Sequence, residues 1–306
     1  MTPTKPIIIG ARTSQLALWQ TNDVRQKLEE AWPGLECRLE TFVTQGDKTL
    51  DKPLPAIGGK GLFTAELETA LRDGRIDLAV HSLKDLPVAA AAGLTVGAVS
   101  SRADVRDVLV ARDRWTLGTL PLGATVGTSS LRRQAQLLHA RPDLTIQSIR
   151  GNVDTRLKKV QGGQYDATIL AAAGLTRLGL ESHITHYLPL DIMLPAPGQG
   201  ALAVQCRADD TAVLTLLTAI DDAETRCCVD AERAFLSGLG SGCSLPVAAY
   251  ATRQNDEMML TGLVATVDGR RVIEVKGYGR DPHQLGTELA EKALAQGAAE
   301  LLRLEI

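Results

Sequence analysis

The feature that most constrains this 306-residue chain is an alternation along its first 200 residues. Short apolar runs suited to buried strands recur between segments with helical spacing. Pro6–Gly10, Asp77–Leu83, Asp107–Ala111, Thr125–Gly127, Thr145–Ile149 and Ala167–Ala172 read as strands, and Leu35–Val43 alternates like one. Between them lie helical patterns. One runs to about Ala31, with Ala17, Val24, Leu28 and Ala31 on one face, and Trp32-Pro33-Gly34 stops it. Others cover Leu62–Arg72, Leu131–Ala140 and Asn152–Val160. Strands alternating with helices predict an α/β fold with parallel sheets. The pattern restarts near Ser100, so two similar lobes are expected.

Pro195-Ala196-Pro197-Gly198-Gln199-Gly200 is stiff and Gly-punctuated, and reads as a boundary or hinge. Beyond it the pattern changes. A helix over Asp222–Leu236 leads to a Gly-rich loop ending at Cys243. Strands follow near Leu245–Ala251, Met258–Val267 and Arg271–Gly279, the last two joined by the hairpin signal Asp268-Gly269. A helix over Pro282–Leu302 closes a small α+β unit. Asp47–Gly61 holds three Lys, two Pro and three Gly without a usable period, and reads as a long mobile loop of the kind that serves as a lid.

The net charge of −3 hides an asymmetry. Between Ser101 and Arg177, ten Arg and two Lys stand against six Asp, so this stretch is basic inside an acidic protein. That points to a small anionic ligand rather than a long polyanion. Arg outnumbers Lys by 23 to 10, and its planar fork suits carboxylate or phosphate.

The basic groups fall at predicted strand ends. Ser130 caps a helix whose first turn carries Arg132 and Arg133. Cations there oppose the positive end of the macrodipole, so the arrangement calls for an anion at that terminus. Arg12 and Ser14 repeat the idea after the first strand, where a capped helix with an exposed Arg is the plainer alternative. Arg150, Arg156 and Arg177 follow later strands. Together they line the ends where α/β folds bind ligands. Lys84-Asp85 also ends a strand. It is either a surface ion pair of little consequence or a carboxylate facing a basic cleft, able to bind an N–H donor or stabilise a developing cation. Cys243 sits after three alternating glycines. It is either an incidental loop thiol or a covalent attachment point.

Other classes lack support. No apolar stretch approaches the length of a transmembrane helix and the N-terminus is not a secretory signal, so a cytoplasmic protein is expected. Five cysteines without an export signal argue against a disulfide framework. His183 and His186 are not joined by Cys or carboxylate ligands, so no metal site is expected. Aromatics at 3% are too few to stack single-stranded nucleic acid. Gly58-Gly59-Lys60-Gly61 lacks the spacing of a P-loop.

These motifs resemble the porphobilinogen deaminase (hydroxymethylbilane synthase) family. The resemblance is carried in order by Gly10–Gln20, Gly58–Phe63, His81-Ser82-Leu83-Lys84-Asp85-Leu86-Pro87, Gly127–Gln134, Arg150–Leu157, Leu194–Ala201 and Gly242-Cys243-Ser244-Leu245-Pro246, spanning essentially the whole chain. It implies two periplasmic-binding-protein-like α/β lobes plus a small C-terminal α+β domain. Domain 1 would comprise 1–100 plus 200–220, domain 2 101–199 and domain 3 221–306. It implies polymerisation of four porphobilinogens onto a dipyrromethane cofactor held by a thioether to Cys243. Asp85 would be the catalytic carboxylate. Lys84, Asp85, Ser130, Arg132, Arg133 and Arg156 would hold the cofactor, and Arg12, Ser14, Arg150, Arg156 and Arg177 the substrate. Lys48–Lys60 would form the lid, Lys60 and Phe63 being its named residues and Phe63 lying near the pyrrole rings. A monomer acting on a small molecule, without nucleic acid or membrane, is expected. The rival is a non-catalytic two-lobed anion-binding module, which has no need of Asp85 or the Cys243 loop. A phosphate-ester enzyme would want a metal site or P-loop.

Overall fold

The computed structural model describes residues 5–48, 61–240 and 245–303. They fall into two compact units. One holds the described residues of Met1–Leu50, Gly59–Ala103 and Gly200–Arg226, and the other those of Asp104–Gln199 and Cys227–Ile306.

The first unit is built on strands β1 (Ile7–Arg12), β2 (Cys37–Phe42), β3 (Leu78–Ser82), β4 (Leu94–Val99) and β10 (Leu202–Arg207), in the order β2-β1-β3-β10-β4. β1 runs parallel to β2 and β3, while β10 is antiparallel to β3 and β4. Helix α1 (Gln15–Ala31) covers one face. Its buried Ala17, Thr21, Val24 and Leu28 recur at helical spacing, and Ser14 caps it by accepting from the Ala17 N–H at 3.3 Å. Val24 and Leu28 pack with Ile7, Ile9, Leu78, Val80, Leu202 and Val204. Each such side chain contributes about 1.5–3 kcal/mol on full burial. Helix α2 is the single turn Gln45–Lys48. On the opposite face, α3 (Ala65–Arg72) contributes Leu67 and Leu71 to a second cluster with Ile76 and Ala79.

The second unit repeats this plan with β5 (Asp107–Ala111), β6 (Thr125–Gly127), β7 (Thr145–Gln147), β8 (Ala167–Ala171) and β9 (His186–Tyr187), in the order β7-β6-β8-β5-β9. β6 is parallel to β7 and β8, and β5 is antiparallel to β8 and β9. Helices α4 (Leu131–Ala140), α5 (Val153–Gln161) and α6 (Ala172–Arg177) connect them. The predicted pair of similar lobes is therefore present as two sheets of one strand order. The expected parallel pairing is present, but each sheet also holds one antiparallel strand. The antiparallel strand of each sheet, β10 or β5, follows a strand of the other unit, β9 or β4, so no βαβ crossover within its own sheet obliges it to run parallel. Both are central strands, and all but the terminal Arg207 of β10 is buried.

Helix α7 (Thr211–Leu217) follows β10. Helix α8 (Ala223–Gly238) leads to an antiparallel sheet of β11 (Val247–Gln254), β12 (Glu257–Ala265) and β13 (Val272–Gly279). Helices α9 (Pro282–Ala295) and α10 (Ala298–Arg303) complete the chain, where one uninterrupted helix was expected. The break falls at Gly297, whose φ of +98° ends a right-handed helix. This three-stranded sheet with helices is the expected small α+β unit. Among the described residues no helix is long and apolar enough to cross a membrane.

Candidate active site

In the first unit the parallel pairing of β1 and β3 sets their C-terminal ends side by side. Arg12 ends β1 and Ser14 caps the helix that follows. β3 passes into a 3-10 turn, Leu83–Asp85. Leu83 and Leu86 are buried at either end of it, and the Leu83 N–H donates to the Ala201 carbonyl at 3.1 Å. These anchors leave Lys84 half-buried and Asp85 exposed. Asp85 makes no hydrogen bond or ion pair with a described residue, so the plain reading of Lys84-Asp85 as a mutual ion pair does not hold.

Arg12 is engaged. Its Nε donates to Asp47 Oδ2 at 3.2 Å and its Nη2 donates to Asp47 Oδ1. The Phe63 ring lies against the guanidinium, 4.3 Å from Cζ to the ring centroid. Burial alone would raise the Asp47 carboxyl, but the hydrogen bonds from Arg12 and Thr44 outweigh it and hold it below its ordinary 3.8. On β3, burial pushes the His81 imidazole down to about 4, against a raising hydrogen bond to Gln205 and helped by the charge of Arg12. His81 is thus neutral at physiological pH.

In the second unit the C-terminal ends of β7, β6 and β8 lie next to one another. Ser130 caps α4, its Oγ accepting from the Arg133 N–H at 3.4 Å. Arg132 and Arg133 are 5% and 7% exposed and both pair with Asp107, which is fully buried at the start of β5. Arg132 Nη2 reaches Oδ2 at 2.7 Å, and Arg133 Nη2 reaches Oδ1 at 2.7 Å. Arg132 Nη1 donates to the Leu194 carbonyl at 2.7 Å, and Arg133 Nη1 to that of Ile169 at 3.0 Å. Gln199 Nε2 adds a bond to Asp107 Oδ1 at 3.0 Å. Burial pulls the Arg132 guanidinium down, the Asp107 charge opposes this, and the neighbouring Arg133 charge adds to it. The sequence did not reveal Asp107 as a partner of these two Arg, and one carboxylate against two guanidinium groups leaves the cluster net positive. The helix terminus calls for negative charge, and a buried guanidinium must be paired.

Arg150 is half-buried beyond β7, and burial lowers its pKa. Arg156 lies in the first turns of α5, its Nε donating to the Gly151 carbonyl at 2.9 Å. Arg177 ends α6. Cys243 and Lys60 lie outside the described residues, as does nearly all of the lid segment Lys48–Lys60. Among the described cysteines, burial pushes the Cys37 and Cys206 thiols up to about 11, so both stay protonated near neutral pH.

Sequence reasoning missed Asp47, Asp107 and Glu232. Glu232 is fully buried on α8, where it accepts from the Gly198 N–H at 2.7 Å and the Ala251 N–H at 2.8 Å. The available signal was each acid's place beside an apolar run, which does not name a partner.

The two α/β sheets share one strand order, carry cationic and hydroxyl groups at their C-terminal strand ends, and the first also carries Asp85, a carboxylate without a partner among the described residues, on a pinned turn. A family model described as porphobilinogen deaminase, dipyromethane cofactor binding domain, matches residues 7–215. A second, porphobilinogen deaminase, C-terminal domain, matches residues 226–295. The porphobilinogen deaminase of Brevibacillus brevis is 52% identical over 295 residues, 96% of this chain and 96% of its own length. That of a Roseiflexus species is 52% identical over 297 residues, 97% of this chain and 98% of its own. The chain belongs to the porphobilinogen deaminase family. Among solved structures, the periplasmic aliphatic sulphonate binding protein SsuA of Escherichia coli is similar at 14% identity and a TM-score of 0.40, covering 77% of this chain and 70% of that one. The α/β assignment stands on the strand order itself.

Proposed function

We propose that this chain condenses four porphobilinogens head to tail, releasing ammonia and then 1-hydroxymethylbilane by hydrolysis. The observation that carries the reading is Asp85: an exposed carboxylate without a partner among the described residues, on a turn pinned by buried Leu83 and Leu86, one strand from Arg12. Its oxygens accept hydrogen bonds from a pyrrole N–H and stabilise the positive charge that develops as the substrate loses its amine. Arg12, Arg150, Arg156, Arg177 and Lys84, with Ser14 and Ser130, receive acetate and propionate groups. Each charge-assisted bond contributes about 1.5–3 kcal/mol. Arg132 and Arg133 carry two positive charges against the one of Asp107, so this cluster keeps a net positive charge beside the capped end of α4.

The donor set fits a dipyrromethane: cations and hydroxyls for its carboxylates, and Asp85 for its N–H groups. Cys243 is the proposed attachment sulfur. When bound, the group supplies the carbon nucleophile for the first condensation. The division into 1–100 plus 200–220, 101–199 and 221–306 belongs to the same reading, and the separate three-stranded sheet supports its third part. A cytoplasmic monomer without nucleic-acid or membrane partners belongs to the same reading.

Intact mass of the denatured protein, with peptide mapping, tests the proposal. An added dipyrromethane on the Cys243 peptide is expected, either as isolated or after incubation with porphobilinogen. No adduct under either condition would leave a non-catalytic anion-binding module.

A further inference from the structure

Arg12 is held from two sides. Asp47 takes its Nε and Nη2, the lateral edge of the guanidinium. Thr44 fixes Asp47 in turn, donating from its N–H at 3.2 Å and its Oγ1 at 2.7 Å, both to Oδ2. The Phe63 ring covers one face of the guanidinium. That ring can lie there because residue 46 is glycine: a Cβ on Gly46 would stand 2.1 Å from Phe63 Cε1. The segment is anchored by the Gly46 N–H donating to the Leu62 carbonyl at 2.9 Å and the Gln45 N–H donating to Glu66 Oε1 at 2.8 Å. Nη1 of Arg12 donates no hydrogen bond to any described residue.

A guanidinium offers two edges that match a carboxylate, one lateral and one terminal. With the lateral edge committed to Asp47 and one face committed to Phe63, the terminal edge has a fixed direction. We infer that Asp47 is a positioning residue for substrate binding: it holds Arg12 so that the terminal edge receives a carboxylate of the incoming pyrrole. This rests on the reading of Arg12 as a carboxylate grip. Asp47 stays ionised because Arg12 and Thr44 lower its pKa, so the clamp persists throughout the neutral range. A clamped guanidinium loses less rotamer freedom when the ligand arrives, which favours binding without touching the bond-making step.

The test uses Asp47→Asn, Gly46→Ala, Arg12→Leu and the double variant Asp47→Asn/Arg12→Leu in the full-length holoenzyme. Steady-state kinetics with porphobilinogen are paired with calorimetric binding of a pyrrole that bears the acetate and propionate but lacks the aminomethyl group. Asp47→Asn is expected to raise KM and the analogue Kd together, by about tenfold, with kcat within about twofold. Gly46→Ala is expected to act in the same direction by displacing Phe63. The double variant should bind no worse than Arg12→Leu, because Asp47 acts through Arg12. Unchanged or tighter binding in Asp47→Asn, where Arg12→Leu weakens it, would overturn the inference; tighter binding would make Asp47 a competitor for the seat. Unchanged binding in Arg12→Leu would overturn the grip itself.

Discussion

Asp107 and Arg132 meet at 2.7 Å with 0% and 5% of their side chains exposed, and Arg133 holds the other oxygen of the same carboxylate. One buried acid thus ties the start of β5 to the first turn of α4, and Gln199 joins it from the crossing segment. Removing the acid leaves two guanidinium groups in a space that water does not reach. Asp107→Ala is expected to cost about 3–5 kcal/mol in urea unfolding. Asp107→Asn should fall between that and wild type, since one oxygen remains as acceptor.

Asp85 stands at the opposite extreme. Nothing among the described residues depends on its charge, so Asp85→Asn should leave the melting temperature unchanged. Its kcat for product formation should fall by at least about a hundredfold. A large loss of stability, or near-normal turnover, would contradict the role proposed for it.

His81 predicts how stability responds to acid. Its folded pKa is about 4 against 6.5 for the exposed ring. The unfolded state therefore binds more protons between these values. The contribution is full above pH 6.5 and is lost as pH falls towards 4, about 3 kcal/mol in all. Urea unfolding of wild type should show this decline across the window. His81→Asn should show a flatter profile there.

Glu232 supplies acceptors to two buried backbone N–H groups, on Gly198 of the crossing and Ala251 of β11. Glu232→Ala orphans both, for an expected loss of about 2–5 kcal/mol. Glu232→Gln keeps one acceptor and should lose less. Amide exchange at Gly198 and Ala251 should accelerate in both variants.

The features legible in the chain were those set within a turn or two of it. Ser14 and Ser130 were readable as caps because a capping oxygen meets an N–H three residues on. The strands β1, β3, β5, β6 and β8 were readable from their apolar runs, and the Lys84-Asp85 turn from its place after one. β4, β9 and β10 were not placed. β10 is paired with β3, about 120 residues earlier, and its continuous burial comes from neighbours on both sides rather than from a period of its own.

The candidate site divides the same way. The sequence by itself determined which groups stand at strand ends, since strand, turn and cap are local choices: Arg12, Ser14, Lys84, Asp85, Ser130 and Arg150 all lie where the pattern put them. Only the tertiary structure decided how those charges are used. Arg132 and Arg133 found Asp107 some 25 residues away, Arg12 found Asp47 at a separation of 35, and Asp85 found no partner among the described residues. A charge has no sequence period, and Coulomb attraction and desolvation act through space. Their outcome is set by which elements pack together, and not by the order in which the residues occur.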